Sequence, residues 1–118
     1  MKTLVIGASV SEYRYSNKAI RLLRAYKHEV VAVGRDKGSV SGIDIQHDMP
    51  ETNDIDTVTL YINPTHQEAY YDKLVALKPR RVIFNPGTEN YQLEEILEQN
   101  GIIAEEACTL VLLNTGQY

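Results

Sequence analysis

The start of the chain constrains its fold most strongly. A short apolar run, Lys2–Ile6, ends in Gly7, and a polar loop then leads into an amphipathic segment from about Ser16 to Lys27. An uninterrupted apolar run of this length is typical of a strand that is covered on both faces. The order predicts a strand–loop–helix unit in which the N-terminus of the helix faces the end of its own strand.

Such a helix N-terminus favours anions, because its first amides lack intrahelical partners and the peptide dipoles place positive charge there. Gly7 permits a sharp turn or a close backbone approach. Ser9 adds a hydroxyl donor, and Ser16 or Asn17 is the predicted N-cap. Since no other glycine occurs before Gly34, the three-glycine dinucleotide fingerprint is absent. The alternative interpretation is that Gly7 only turns the chain between strand and helix.

Further apolar runs alternate with helical patterns along the rest of the chain. Strands are predicted at 29–33, 43–46, 56–62, 81–84 and 102–105, and helices at 66–77, 91–100 and 108–113. Residues 38–42 are predicted to form a loop, and Thr65 with Glu68 matches a capping box. The pattern predicts a three-layer α/β sandwich with a mainly parallel sheet of five or six strands, helices on both faces, and a single domain over 1–118.

Ligands of parallel sheets bind beyond the carboxyl ends of the strands, near the point where strand order reverses. This rule selects the loops at 7–17, 34–42, 63–65 and 85–88, which are rich in Gly, Pro, Asn, Ser and Arg. We expect them to meet at one edge of the sheet.

The charge of the chain is unevenly distributed. The first 40 residues hold eight Lys and Arg against three acids, whereas the whole chain has a net charge of −4. A small polyanion would be drawn to the first third. The acidic remainder argues against a nucleic-acid partner.

Composition also bounds the setting and the chemistry. No apolar run approaches the length of a membrane span, and the one cysteine, Cys108, cannot form an internal disulfide. A cytoplasmic protein without membrane association is expected. The three histidines have no metal-ligand spacing, and no catalytic nucleophile or base stands out.

The end of the second predicted strand discriminates between nucleotides. An acidic residue there would accept hydrogen bonds from a free ribose, but this chain has Gly34-Arg35, with Lys37 close behind. Arginine at this position favours a phosphorylated ribose. Two cofactors satisfy this condition, NADP with its 2′-phosphate and coenzyme A (CoA) with its 3′-phosphate.

Several motifs together resemble the family of small stand-alone CoA-binding domains, which is similar to the CoA-binding domain of succinyl-CoA synthetase. The motifs are Val5-Ile-Gly-Ala-Ser9, Arg14-Tyr-Ser-Asn17, Val33 with Arg35-Asp-Lys37, Gly42, Asn85-Pro-Gly87 and the segment Cys108–Tyr118. One departure is Gly34-Arg-Asp-Lys37, since the family commonly has Asn-Pro-Lys after this strand.

The resemblance implies a Rossmann-like fold that binds CoA or acyl-CoA. The diphosphate would lie against residues 7–9, the 3′-phosphate near Arg35 and Lys37, and residues 63–64 and 85–87 would form the opposite wall. The predicted cofactor-binding residues are Gly7, Ala8, Ser9, Arg14, Tyr15, Ser16, Asn17, Val33, Gly34, Arg35, Lys37, Gly42, Ile62, Asn63, Pro64, Asn85, Pro86 and Gly87.

Three functions stay open at this point. The leading hypothesis is a CoA- or acyl-CoA-binding protein without evident catalysis of its own. The alternatives are a small NADP-dependent oxidoreductase and a vestigial Rossmann module for protein association. Cys108 is a candidate partner for the cofactor thiol, although free cysteine is more often a small buried hydrophobe. A homo-oligomer or a protein partner is open as well.

Overall fold

The computed structural model describes residues 2–118 and contains a seven-stranded sheet with helices on both faces. The strands are β1 (Lys2–Ile6), β2 (Glu29–Val33), β3 (Ser39–Val40), β4 (Ile43–Gln46), β5 (Thr57–Leu60), β6 (Arg81–Phe84) and β7 (Ile103–Glu106). The helices are α1 (Tyr15–Ala25), α2 (Pro64–Gln67), α3 (Tyr71–Leu77), α4 (Tyr91–Gln99) and α5 (Thr109–Asn114), and a 3₁₀ turn (Glu68–Tyr70) joins α2 to α3.

The sheet order is β3-β4-β2-β1-β5-β6-β7, and all neighbours are parallel except β3 and β4. The chain first builds outward from β1 through β2 to β4, and then returns to the other side of β1 at β5. Strand order therefore reverses between β1 and β5. Ligands of open parallel sheets bind at such a point, beyond the carboxyl ends of the strands.

Alternate residues of the central strands face two separate cores. Leu4 of β1 packs in the core under α3 and α4, whereas Val5 packs in the core under α1 and α5. Leu74 and Leu93 close the first core, and Leu23 the second, all fully buried. This period of two, on a strand covered by helices on both sides, confirms the reading of β1 as a doubly buried strand.

The prediction of five or six strands missed β3. Residues 38–42 were predicted to form a loop, but Val40 pairs with Ile43 across a two-residue turn at Ser41 and Gly42. Both turn residues have positive φ, at 50° and 79°. A hairpin with two positive φ angles matches the twist of its strands and is normally signalled by Asn-Gly or Gly-Gly, so serine at the first position concealed it.

Several further predictions about local structure were wrong. The helix expected at 66–77 begins at Pro64, because Asn63 is its N-cap and accepts from the His66 N–H at 3.3 Å. Thr65 is therefore not the N-cap of a capping box. The 3₁₀ turn divides the predicted helix into α2 and α3. The spacing of Ala19, Leu22, Leu23 and Tyr26 predicts one buried stripe on α1, but Tyr26 is 50% exposed, while Ile20 is buried. Strand β7 begins and ends one residue later than the predicted range 102–105. The short helix α5, predicted at 108–113, is confirmed.

No helix within residues 2–118 is long and apolar enough to cross a membrane. Over the same part of the chain, no three His, Cys, Asp or Glu side chains are grouped so that they could hold a metal ion.

Candidate functional site

A cleft of about 560 Å³ lies at the carboxyl ends of the central strands. The segments that follow four neighbouring strands of the sheet line it. They are residues 7–9 and 14–16 after β1, residues 34–36 after β2, residues 61–63 with 66, 69 and 70 after β5, and residues 86–88 after β6. The sheet thus brings together segments that are up to 80 residues apart in sequence. This is the edge that the strand order predicts for a ligand.

Two glycines let the loops after β1, β2 and β5 meet through their backbones. Gly7 has φ +94°, and a Cβ on it would lie 2.7 Å from the carbonyl oxygen of Tyr61. A Cβ on Gly34 would lie 2.3 Å from the carbonyl oxygen of Ala8. Both distances are shorter than any side chain tolerates without a shift of the neighbour. The floor of the cleft is consequently bare backbone at these two residues.

The amides of the first loop are not all available to a ligand. Gly7 and Ala8 both donate their N–H groups to the Val33 carbonyl, at 2.9 and 3.0 Å. Ser11 N–H donates to Ser9 Oγ at 3.1 Å. The donors left toward the cleft are in the first turn of α1, whose N-cap is Arg14 with no side-chain cap. Ligand donors would therefore come from the start of the helix more than from Gly7 and Ala8.

Ser16 and Asn17, either of which was predicted to cap α1, are not caps. Both lie within the first turn and are buried. Asn17 instead ties the first loop to the helix, because its Nδ2 donates to the Ser9 carbonyl at 2.9 Å. Its Oδ1 accepts from Arg21 Nε at 2.8 Å. Ser16 lines the cleft and Asn17 does not, so the role of Asn17 as a ligand contact stays a prediction.

Asp36 lines the cleft, although the sequence pattern marked it only as part of the Arg35-Asp-Lys37 motif. Its carboxylate accepts from Ser9 Oγ at 2.9 Å and from Val10 N–H at 3.0 Å. These two hydrogen bonds lower the pKa of Asp36, and the nearby charges of Arg14 and Arg35 lower it further. An ionised carboxylate therefore occupies donors that would otherwise be free for a bound anion.

Arg14 and Arg35 give the same end of the cleft its positive charge. Both side chains are exposed and can adapt to a ligand. Lys37 is exposed too but does not line the cleft. Tyr15 lies on the rim, and Lys18 Nζ is 5.1 Å from the centroid of its ring.

Tyr61 lines the cleft beside the floor, and no sequence pattern marks it beyond its place at the end of a predicted strand. Burial raises the pKa of Tyr61 to about 12. Its hydroxyl is buried and has no hydrogen-bond partner within residues 2–118. The phenol is consequently neutral at physiological pH. His66, Ala69 and Tyr70 are further lining residues that were not predicted, whereas Thr88 lines the cleft within the predicted loop at 85–88.

The other predicted residues are placed as follows. Ile62, Asn63, Pro86 and Gly87 line the cleft, but the N1 residue Pro64 does not. Val33 is fully buried in the core, and Gly42 lies in the β3–β4 turn with no atom within 4 Å of a Cβ built on it. Cys108, half-buried at the start of α5, is outside the lining. Its role as a thiol partner stays a prediction.

Asn85, predicted as part of the far wall, is a buried hydrogen-bonding centre behind that wall. Its Nδ2 donates to Thr59 Oγ1 at 2.6 Å and to the Leu60 carbonyl at 2.9 Å. Its Oδ1 accepts from Thr109 N–H at 2.9 Å. The side chain thus joins β5 to the start of α5 and is only 2% exposed.

We expect Asn85→Ala to lower the free energy of unfolding by about 3 kcal/mol, since a buried hydrogen bond contributes roughly 1 kcal/mol and three are lost. Urea denaturation of the variant and of Asn114→Ala, which changes an exposed residue at the end of α5, measures the difference. A loss of less than about 1 kcal/mol at Asn85 would show that the network adds little.

A second cavity, of about 780 Å³, lies between the β4–β5 loop and α3. Asp48 and Glu51 contribute two acids to its lining, and Lys73 is its one cation. This balance disfavours a polyanion. Although the cavity is larger, the cleft at the strand ends suits a phosphorylated ligand better.

The fold and cleft together define an α/β nucleotide-binding type of protein with a Rossmann-like sheet. The chain belongs to a known family, because a family model described as "CoA binding domain" matches residues 1–114. The family therefore supports CoA as the ligand class. No match was found among curated proteins.

Solved structures agree with this fold. An uncharacterized protein is 50% identical, with a TM-score of 0.96 over 99% of this chain and 97% of the other. The Thermus thermophilus protein "cell-free ID.343" is 18% identical, with a TM-score of 0.87 over 99% and 90%. A dinucleotide-forming acetyl-coenzyme A synthetase 1 from Ca. Korarchaeum cryptofilum is 17% identical, with a TM-score of 0.70 over 87% of this chain and 25% of that one.

Proposed function

We propose that this chain is a small CoA- or acyl-CoA-binding protein that holds its ligand in the cleft at the strand ends. The family supports CoA as the class of ligand, and we place the ligand in the cleft at the strand ends. The observation that carries the proposal is the position of Arg35 on the loop after β2, directly beside the loop after β1. One cleft therefore offers a guanidinium and a helix N-terminus side by side.

The direction of the ligand follows from the order of the loops. Neighbouring strands are roughly 4.8 Å apart, so the loops after β2, β1, β5 and β6 form a path across the sheet edge. CoA is a long molecule with charge at one end. Its 3′-phosphate would lie near Arg35, its diphosphate near the start of α1, and its pantetheine arm against Asn63 and Pro86.

We place this activity in a reducing cytoplasm, consistent with the single cysteine. Cys108 is the half-buried N-cap of α5 and is outside the cleft lining. We propose it as a partner that could form a mixed disulfide with the cofactor thiol. Intact-mass measurement after mild oxidation with CoA disulfide tests it, and the absence of an adduct removes this part of the proposal.

A ligand panel tests the proposal as a whole. Thermal unfolding is followed with CoA, acetyl-CoA, NADP and NAD at matched concentrations. At a hundredfold excess over Kd, a ligand adds about 2.7 kcal/mol of stability, which raises Tm by several degrees. We expect this for the two CoA compounds. A larger shift with NADP would favour the oxidoreductase, and no shift with any compound would favour an association module.

Asp36→Asn should bind CoA more tightly than the wild type, by roughly threefold to tenfold. The ionised carboxylate repels the diphosphate, and a like charge a few ångströms away costs about 1 kcal/mol in a water-like medium. Asparagine removes the charge and keeps an oxygen that can accept from Ser9 and Val10. Isothermal titration calorimetry at low salt measures the change.

Asp48→Asn, which removes the same charge at the second cavity, is the control and should leave the Kd within twofold. Weaker binding by Asp36→Asn would contradict the repulsion and would mean that the carboxylate accepts a hydrogen bond from the ligand.

A further inference from the structure

Gln67, the last residue of α2, is a polar side chain with no exposed surface. Its Nε2 donates two hydrogen bonds, to the Ile62 carbonyl at 2.9 Å and to the Thr88 carbonyl at 2.7 Å. One side-chain nitrogen therefore joins two backbone segments that are distant in sequence. A buried amide is stable only when its groups are paired in this way.

Both carbonyls belong to residues that line the cleft. Ile62 lies on the loop after β5, and Thr88 lies on the loop after β6. A hydrogen bond to each from the same atom fixes the separation of the two loops. This is the half of the cleft that is farthest from Arg35, because β5 and β6 lie on the other side of β1 from β2.

Asn90 determines which way the Gln67 amide points. Its Nδ2 donates to Gln67 Oε1 at 3.0 Å and to Tyr71 Oη at 2.9 Å. The Asn90 Nδ2 group can only donate, so the Gln67 oxygen must face it. The Ile62 and Thr88 carbonyls can only accept, so the Gln67 nitrogen must face them. Asn90 itself is anchored as the N-cap of α4, where its Oδ1 accepts from Leu93 N–H.

We propose that Gln67 is a positioning residue that sets the width of the cleft where the pantetheine arm lies, with Asn90 holding its orientation. The inference rests on the proposed binding of CoA. Gln67 acts through the backbone of Ile62 and Thr88 and makes no contact with the ligand itself. Its removal therefore affects the pantetheine half of the ligand and spares the adenosine half.

Gln67→Met tests this, because methionine keeps the length of the side chain and removes both donors. Titration calorimetry compares CoA with adenosine 3′,5′-bisphosphate, which has the phosphorylated ribose but no pantetheine arm. We expect the Kd for CoA to rise about tenfold and the Kd for the bisphosphate to stay within twofold. Gln92→Met, on the exposed side of α4, should change neither.

Two further variants separate positioning from a general loss of stability. Leu97→Val weakens the core under α4 without removing a hydrogen bond to the cleft, and it should leave both Kd values unchanged while Tm falls. Asn90→Asp keeps an oxygen that caps Leu93 but cannot donate to Gln67. Asn90→Asp should also raise the Kd for CoA and leave the Kd for the bisphosphate unchanged. This variant tests the positioning role if Gln67→Met does not fold.

An equal loss of both ligands in Gln67→Met, or unchanged binding of CoA, would overturn the positioning role and leave the proposed function intact. So would unchanged or unselective binding by Asn90→Asp. A wild-type protein that binds neither ligand would instead overturn the proposed function, and this inference with it.

Discussion

Gly7→Ala should lower the free energy of unfolding by about 3 kcal/mol or more and lower Tm by roughly 10–15 °C. The backbone at this residue has φ +94°, a region in which a side chain costs about 1–3 kcal/mol. The new Cβ would also lie 2.7 Å from Tyr61 O and 2.9 Å from Tyr61 C. These are backbone atoms at the end of a central strand, and moving them adds about 1–3 kcal/mol.

Gly101→Ala is the matched control, because Gly101 has φ +76° and no atom lies within 4 Å of a Cβ built there. It carries the conformational cost alone, about 1–2 kcal/mol. Urea denaturation and calorimetry of the two variants give the difference, which measures the close approach of the loops after β1 and β5. Equal losses would show that this approach adds nothing to stability.

Arg35→Ala should weaken CoA binding by roughly tenfold to a hundredfold and leave dephospho-CoA within about twofold. The two ligands differ only in the 3′-phosphate. A charge-assisted hydrogen bond contributes about 1.5–3 kcal/mol, so its loss should appear only with the ligand that has this phosphate. Titration calorimetry of both ligands at one salt concentration is required, since exposed charges are screened.

Arg24→Ala removes the same charge from the last turn of α1, outside the cleft. It should reduce affinity for both ligands only slightly, through the general field, without the selectivity expected of Arg35→Ala. Equal losses in Arg35→Ala would contradict the placement of the 3′-phosphate. Lysine at this position should restore only part of the selectivity, because it lacks the planar fork of arginine.

The sequence predicted the fold well because the sheet is built from apolar runs that need no long-range information. The strand order, with its reversal at β1, was not predicted and comes from the structure. Helix α5 was predicted from an apolar run whose periodicity also allows a strand. Strand β1 follows from its local apolar pattern. Strand β3 did not, since it depends on a serine with φ of 50° at Ser41. Unlike glycine, serine does not indicate a positive φ angle.

The candidate site was predicted less completely. Loop positions follow from strand ends, so residues 7–9, 34–35 and 86–87 were placed at the cleft edge where they lie. The sequence predicts Asn85 to be a turn residue, because Pro86 follows it. Its burial depends on hydrogen bonds to β5 and to the start of α5, which the sequence does not indicate. Gln67 and Asp36 were missed because each has a partner that is distant in sequence: Thr88 is 21 residues from Gln67, and Ser9 is 27 residues from Asp36.

A two-dimensional ¹H–¹⁵N spectrum of the protein during titration with CoA tests directly whether CoA binds in the cleft at the strand ends. We expect amide shifts in residues 7–16, 34–36, 61–70 and 87–88, the segments around the cleft, with the signals of residues 48–53 at the second cavity unchanged. Shifts concentrated at residues 48–53 and in α3, or no shifts at saturating CoA, would contradict it.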